Sequence, residues 1–218
     1  MQSNLLAIET SGSVCSAAVS IEGNLVASVE ILRSNVHDEM LSDVVASVCR
    51  YAELTVQDID IVAVSSGPGS FTGLRIGASF AKGLCFSGRA QLLAVPSHVA
   101  MMAAGMEVAQ LSGCSEILCV IGSHRDLVYL SSTGSEDLDI ASQTSLVSIE
   151  QAKHRCSSNK QLVVGSGAGL VTEHPISGLS RTSARFVAYA AWKMLAQQSP
   201  FTDANAFVPD YHQEFQAR

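Results

Sequence analysis

The segment that most restricts how this chain can fold is a buried strand, a glycine-rich turn and a helix in direct succession. Residues Ile59 to Ser65 are an apolar run typical of a buried parallel strand, and a Gly-Pro-Gly turn follows at once. A helical pattern then extends from about Ser70 to Ser87. Such a unit is typical of α/β proteins, in which helices connect the strands of a sheet.

The elements around this unit predict one half-domain. Three segments, at 4–9, 13–21 and 25–32, have the alternation of an antiparallel meander. Met40, Leu41, Val44 and Val45 recur at helical spacing in a segment that starts at His37 and ends near 51–54, and another strand follows at 91–95. The order predicts a mixed sheet with helical crossovers, similar to the ribonuclease H-like half-domain of actin, Hsp70 and sugar kinases (the ASKHA fold).

The second half of the chain shows fewer clear elements. Its pattern predicts strands at 116–121, 127–131 and 161–164 and a helix at 183–197, with loops at 131–148 and 157–160. A boundary between Gly105 and Gly113 divides the chain into an N-terminal lobe of residues 1–108 and a smaller, divergent C-terminal lobe of residues 109–218. We therefore expect two ribonuclease H-like lobes with mixed sheets, the second of them reduced.

Composition restricts the possible partners and the compartment. The net charge is −7, and no cluster of Lys and Arg is present that could neutralise a row of phosphates, which disfavours direct nucleic-acid binding. Hydrophobic residues make up 47% and charged residues 15%, so we expect part of the surface to meet a partner protein. Six cysteines without a Cys-x-x-Cys pair, no basic leader and no apolar run of about 20 residues predict a cytoplasmic protein outside the membrane.

The glycine-rich turn resembles a phosphate-binding loop, but its spacing differs. The third glycine of the dinucleotide pattern would fall at position 72, where Thr72 stands, and the Gly-Lys-Ser/Thr of the Walker loop is absent. We expect a stiff structural turn instead, with Ser70 as the N-cap of the helix. Gly73, Gly77 and Ala81 then form a stripe of small residues, which predicts close packing, either inside the chain or with another subunit.

A second turn could be a remnant of a nucleotide site. ATP-using proteins of this fold class end their first strand with an acidic residue and continue with a hydroxyl-bearing glycine turn. The possible vestigial site here consists of Glu9, Thr10, Ser11 and Gly12. A turn held by hydroxyls and glycine without a ligand is the favoured interpretation.

The run GPGSFTGLRIG resembles the signature of the TsaB (YeaZ-type) family, and LLAIETS and IDIVAVSSGPG precede it in the order that this family shows. The resemblance covers Leu5 to Val99 and is thinner beyond Gly113. The residues of this signature loop are Gly67, Pro68, Gly69, Ser70, Phe71, Thr72 and Gly73.

The resemblance implies a non-catalytic accessory subunit, with no catalytic residue of its own. Its partner would be a TsaD-like subunit, which transfers a threonylcarbamoyl group to N6 of the adenosine at position 37 in tRNAs that read codons beginning with A. The chain would homodimerise when alone, a TsaE-like ATPase could join, and tRNA would be reached only through the complex. The implied interface consists of Met40, Leu41, Val44, Val45, Gly73, Leu74, Gly77 and Ala81.

The resemblance also bears on cofactors. TsaD carries a His-x-x-x-His metal pair, whereas the matching stretch here contains one histidine, His98, so we expect no metal site. We expect no tightly bound cofactor, although ATP or ADP could bind at the interface of a complex. Two alternatives stay open at this point: a metal-dependent glycopeptidase-like enzyme and an actin-fold ATPase or kinase.

Overall fold

The computed structural model of this chain describes residues 3–211, and all statements below concern this range. Its helices and strands alternate in the way that the sequence predicts for an α/β protein. In chain order they are β1 (Asn4–Glu9), β2 (Cys15–Ile21), β3 (Asn24–Ile31), α1 (His37–Tyr51), β4 (Ile61–Gly67), α2 (Phe71–Ser87), β5 (Gln91–Pro96), α3 (Ser97–Ser112), β6 (Glu116–Gly122), β7 (Leu127–Gly134), β8 (Ser145–Ser148), α4 (Ile149–Arg155), β9 (Gln161–Val164), α5 (Ala168–Val171) and α6 (Ala184–Ala196).

Two mixed sheets form the framework. The first has the strand order β3-β2-β1-β4-β5, with β1 antiparallel to β2 and parallel to β4. The second has the order β8-β7-β6-β9, with β6 antiparallel to β7 and parallel to β9. The predicted fold class, two lobes of mixed α/β structure with a smaller second sheet, is confirmed.

Side chains from alternate positions of β1 enter two different cores. Leu6 and Ile8 pack with α1 and α2 on one face of the first sheet. Leu5 and Ala7 face α3 and α6 on the other, in a core that also includes Ile117 and other residues of the second sheet. The helices α3 and α6 therefore lie between the two sheets.

The helix α3 was not predicted from the sequence, and its surroundings explain why. It meets apolar neighbours on most of its circumference, so its apolar residues do not follow the 3.6-residue period of a surface helix. A Cβ on Gly105 would lie 3.1 Å from Val164 Cγ1, which shows how closely α3 approaches the second sheet. The predicted division at residue 108 falls inside this helix; the division into domains itself stays a prediction.

Other predicted boundaries shift by a few residues or more. The segment 131–148, predicted as a loop, contains the end of β7 and the edge strand β8. The short helix α4 was not predicted at all. The chain after α6 returns to the first sheet, where Thr202 N donates to Leu92 O (2.8 Å) and Asp210 N donates to Ser66 O (2.7 Å). No helix within residues 3–211 combines the length and the apolar character needed to cross a bilayer.

Candidate functional site

The signature loop connects β4 to α2 and is fixed by contacts with the end of the chain. Gly67 has φ of +111°, and a Cβ there would lie 2.3 Å from Asp210 O, so both the conformation and the space require glycine. The Ser70 side chain accepts a hydrogen bond from Gly73 N at 3.3 Å, which confirms Ser70 as the N-cap. The Phe71 and Tyr211 rings lie 4.7 Å apart.

The stripe of small residues on α2 packs inside this chain. A Cβ on Gly73 would lie 1.9 Å from Thr10 O, and one on Gly77 would lie 2.3 Å from Thr10 Oγ1. Thr10 Oγ1 also donates to Gly73 O at 2.8 Å. Of the two possibilities for the stripe, close packing inside the chain is therefore the one observed, and its partner is the turn after β1.

The residues of the implied interface also take part in this internal packing. Seven of the eight are buried in this chain and hold α1 and α2 on their own sheet; only Met40 is partly exposed. Helical periodicity identifies the face that packs on the sheet, so it does not by itself identify the face that a partner would contact. Whether the chain pairs with another subunit stays a prediction.

A groove of about 400 Å³ separates the exposed parts of α1 and α2, and we call it the helix groove. The Arg75 guanidinium, on one side of it, lies 4.9 Å from the centre of the Phe71 ring. The groove is lined by His37, Asp38, Leu41, Ser42, Arg75, Ile76, Ser79 and Phe80.

The first residues of the possible nucleotide turn are buried and hydrogen-bonded within the chain. Glu9 is completely buried; its Oε1 accepts from Ser11 N (2.5 Å) and its Oε2 accepts from the Ser65 hydroxyl. Burial raises the pKa of the Glu9 carboxyl, and these hydrogen bonds oppose that rise. Ser97 Oγ donates to Ser11 Oγ at 3.2 Å. Glu9, Thr10 and Ser11 thus serve as internal connections between β1, β4, α2 and α3.

Gly12, the last residue of that turn, reaches a second pocket of about 510 Å³, which we call the switch-point pocket. It lies at the carboxyl ends of β1 and β4, where the signature loop and the first turns of α1 and α2 converge. The part of the pocket between β3 and α1 could not be predicted from the sequence, because a short polar loop carries no periodic signal. The pocket is lined by Gly12, Ser13, Ser34, Asn35, His37, Asp38, Ser70, Thr72, Gly73 and Ile76.

His98 lies at the beginning of α3, beside a cleft between the two lobes. Its side chain is buried, and its Nε2 lies 2.8 Å from Ser142 O. The interpretation as a packed histidine at a helix start is confirmed. Within residues 3–211 no three His, Cys, Asp or Glu side chains come together in an arrangement that could hold a metal ion.

The cysteines are free thiols, as their spacing predicts. Burial raises the pKa of Cys119 to about 12 and that of Cys15 to about 11, and the nearby Glu9 adds to the second shift. A high pKa keeps a thiol protonated and unreactive. These two cysteines are therefore packing residues of the sheets.

The two mixed sheets and the helices between them define the class of this chain: a two-lobed α/β protein with mixed sheets. A family model described as TsaD, tRNA N6-adenosine threonylcarbamoyltransferase, matches residues 31–163, more than half of the chain. The chain belongs to this family.

Two named relatives are similar to this chain over comparable shares of its length. The tRNA threonylcarbamoyladenosine biosynthesis protein TsaB of Haemophilus influenzae is 29% identical over 127 residues, 58% of this chain and 52% of that protein. The tRNA N6-adenosine threonylcarbamoyltransferase of Clostridium botulinum strain 657 is 34% identical over 149 residues, 60% of this chain and 44% of that protein. The chain thus spans about half the length of the curated relatives that it matches.

Solved structures match the whole architecture. YeaZ from Pseudomonas aeruginosa superposes with a TM-score of 0.78 at 23% identity, covering 96% of this chain and 99% of that one. Another Pseudomonas aeruginosa structure, of a protein with similarity to peptidase YEAZ, has a TM-score of 0.80 at 22% identity and covers 97% and 100%. The resemblance to the TsaB (YeaZ-type) proteins is confirmed, for the sequence by the relatives and for the fold by these structures.

Proposed function

We propose that this chain is an accessory subunit for the formation of N6-threonylcarbamoyladenosine in tRNA and that it pairs with a TsaD-like catalytic subunit. In this proposal it is not a transferase on its own, and it meets tRNA only through the complex. The modified base would be the adenosine at position 37 of tRNAs that read codons beginning with A. The cytoplasm is the compartment that we expect.

One observation carries the proposal: the chain has the complete architecture of YeaZ, while its sequence matches proteins named TsaB and proteins named for the transferase itself. Two proteins with a related lobe can pair through the same face of that lobe, in the manner of a symmetric dimer. The names of these relatives favour a role in tRNA modification over the glycopeptidase and kinase alternatives.

The helix groove has the properties that such a pairing needs. Ile76 and Phe80, which are partly exposed, provide apolar surface, while Asp38 and Arg75 provide charges of opposite sign. A surface that carries both signs can complement a related copy of itself when the copy is turned by a two-fold rotation. We propose that the same groove supports a homodimer when the catalytic subunit is absent. A TsaE-like ATPase would join the pair at a separate surface.

The test places a charge in the groove. In Ile76→Arg, a cation replaces a partly buried apolar side chain, so we expect association with the TsaD-like subunit of the same organism to weaken about a hundredfold. Tyr189→Arg is the matched control, because Tyr189 is exposed on α6, far from α1 and α2 in the fold. Analytical ultracentrifugation measures the association of both variants with that subunit.

Complementation of a cell that lacks its own TsaB tests the function of each variant. Wild type and Tyr189→Arg should restore the modified adenosine in tRNA, and Ile76→Arg should not. The proposal fails if wild type restores none, or if Ile76→Arg associates and restores as well as the control. Circular dichroism confirms first that both variants are folded.

A further inference from the structure

The helix groove has one charge on each of its walls, and the two charges are opposite. Asp38 lies on the α1 wall and Arg75 on the α2 wall, and both residues are exposed. Within residues 3–211 neither of them takes part in an ion pair, with the other or with a third residue. Both charges are therefore available to a partner that brings the complementary pair.

The two helices differ in charge along their whole length. α1 contains three acidic residues and one arginine, whereas α2 contains two basic residues and no acidic one. Of these two, Lys82 is occupied inside the chain, since its Nζ donates to Phe207 O at 2.9 Å. Arg75 is thus the cation that α2 presents to a partner.

The Arg75 side chain is restricted before any partner binds. Its guanidinium carbon lies 4.9 Å from the centre of the Phe71 ring, and that ring lies 4.7 Å from the ring of Tyr211. A cation held over an aromatic face loses less conformational freedom when a partner binds. Arginine is also one of the residue types that contribute most to the affinity of protein interfaces.

The direction of the helices places both charges near the same end of the groove. α1 connects β3 to β4 and α2 connects β4 to β5, and these three strands run in the same direction. The two crossover helices are therefore parallel to each other. Asp38 and Arg75 both lie within the first five residues of their helices.

Two different two-fold rotations could place a second copy of this chain on the groove. An axis across the groove sets each helix against its own copy, so that like charges face each other. An axis along the groove sets α1 against α2 of the second copy, so that Asp38 of each copy meets Arg75 of the other. One helical turn further on, Ser42 would face Ser79 of the second copy, and these small side chains allow the helices to approach closely.

We propose that a second copy of this chain occupies the helix groove about a two-fold axis that runs along the groove, with reciprocal ion pairs between Asp38 and Arg75. The inference rests on the homodimer of the proposed function and specifies its geometry. Ile76 and Phe80 supply the apolar surface between the two ion pairs.

Charge-swapped variants of the full chain test this pairing by analytical ultracentrifugation. Arg75→Asp sets two aspartates against each other at both pairs, and Asp38→Arg sets two arginines against each other. Each variant alone should therefore form the homodimer at least about tenfold less tightly than wild type. In an equal mixture of the two variants every pair again has opposite charges, so association should return to within about threefold of wild type.

Arg185→Asp is the matched control. The Arg185 guanidinium also lies 4.9 Å from an aromatic ring, that of Phe186, but it belongs to α6 on the opposite face of the first sheet. The same change in net charge at this position should alter homodimer affinity less than about threefold. Circular dichroism confirms that all three variants are folded.

Three results would overturn the inference: a wild-type chain that stays monomeric, a mixture that associates no better than its components, or equal losses in Arg75→Asp and Arg185→Asp. The accessory function is tested separately, because the sedimentation experiment contains no TsaD-like subunit. Restored modified adenosine together with a mixture that stays monomeric would reject this pairing alone. A mixture that associates in the absence of any restored modification would reject the accessory function alone.

Discussion

Each sheet of this molecule contains a parallel strand that ends in a glycine with positive φ, and the two turns differ in what they support. Gly67 is the last residue of β4 and has φ of +111°, and Gly165 directly follows β9 and has φ of +102°. A Cβ would lie 2.3 Å from a backbone oxygen in both cases, that of Asp210 at Gly67 and that of Val120 at Gly165. The local requirement for glycine is therefore the same in the two lobes.

The structures that follow these turns are different. The turn of the first lobe leads into the 17-residue α2 and borders the switch-point pocket, whereas that of the second lobe leads into the four-residue α5. In the second lobe the turn is closed by backbone bonds, from Gly165 N to Leu179 O (2.7 Å) and from Gly167 N to Val120 O (2.8 Å). The same backbone requirement for glycine thus lies beside a pocket in the first lobe and beside a very short helix in the second.

The largest effect is expected where α2 meets the turn after β1. In Gly73→Ala the new methyl group would lie 1.9 Å from Thr10 O, a backbone atom that cannot move without disturbing β1. We expect the free energy of unfolding to fall by about 3 kcal/mol or more. Urea denaturation measures the change. A loss below about 1 kcal/mol would show that α2 can move away from the turn and that the packing is looser than described.

Alanine substitutions at the two glycines with positive φ should lower the free energy of unfolding by smaller and unequal amounts. Gly165→Ala places its methyl group against Val120, in the centre of the second sheet, and should cost about 2–3 kcal/mol. Gly67→Ala places its methyl group against Asp210, in the segment near the chain end that passes over β4. Because this segment can shift, we expect the free energy of unfolding to fall by about 1–2 kcal/mol. Equal costs, measured by the same urea denaturation, would mean that the chain end is as rigid as the sheet.

The sequence allowed the first sheet to be predicted better than the second, for physical reasons. Strands such as β4 and amphipathic helices such as α1 carry their own periodicity, so their existence could be predicted. The helix α3 has no such signal, because tertiary contacts surround it. The signature loop was identified, but the packing partner of its glycines was not, since Thr10 and Gly73 are 63 residues apart in the sequence. The position of His37 beside the switch-point pocket depends in the same way on long-range packing.

The two lobes should also differ in how they respond to pH. Burial raises the pKa of Glu9 in the first sheet, whereas the Arg155 guanidinium lowers the pKa of Glu116 in the second. A raised carboxyl pKa stabilises the fold at low pH, and this contribution is lost as pH rises above the ordinary value through the folded-state pKa. A lowered carboxyl pKa stabilises the fold at higher pH, and this contribution is lost as pH falls below the ordinary value through the folded-state pKa.

Two substitutions separate these contributions. In the wild type, the free energy of unfolding should fall by at most about 1.4 kcal/mol per pH unit as the pH rises above the ordinary carboxyl pKa. Glu9→Gln should remove this fall. Glu116→Gln should remove a smaller loss at acid pH, below about 1 kcal/mol, because the Glu116–Arg155 pair is partly exposed. Urea denaturation from about pH 2 to pH 8 measures both, because the loss at Glu116 lies below the ordinary carboxyl pKa. A wild-type slope that Glu9→Gln leaves unchanged would contradict the assignment to Glu9.

The smallest effect is expected at a glycine of α2 that no neighbour requires. Gly83 lies in the exposed part of the helix, and a Cβ there would meet no atom within 4 Å. Alanine has the higher helix propensity, so Gly83→Ala should raise the free energy of unfolding by up to about 1 kcal/mol. The change is chemically the same as Gly73→Ala on the same helix, and urea denaturation should give it the opposite sign. A destabilised Gly83→Ala would show that this part of α2 needs glycine for a contact outside this chain, such as one with a second subunit.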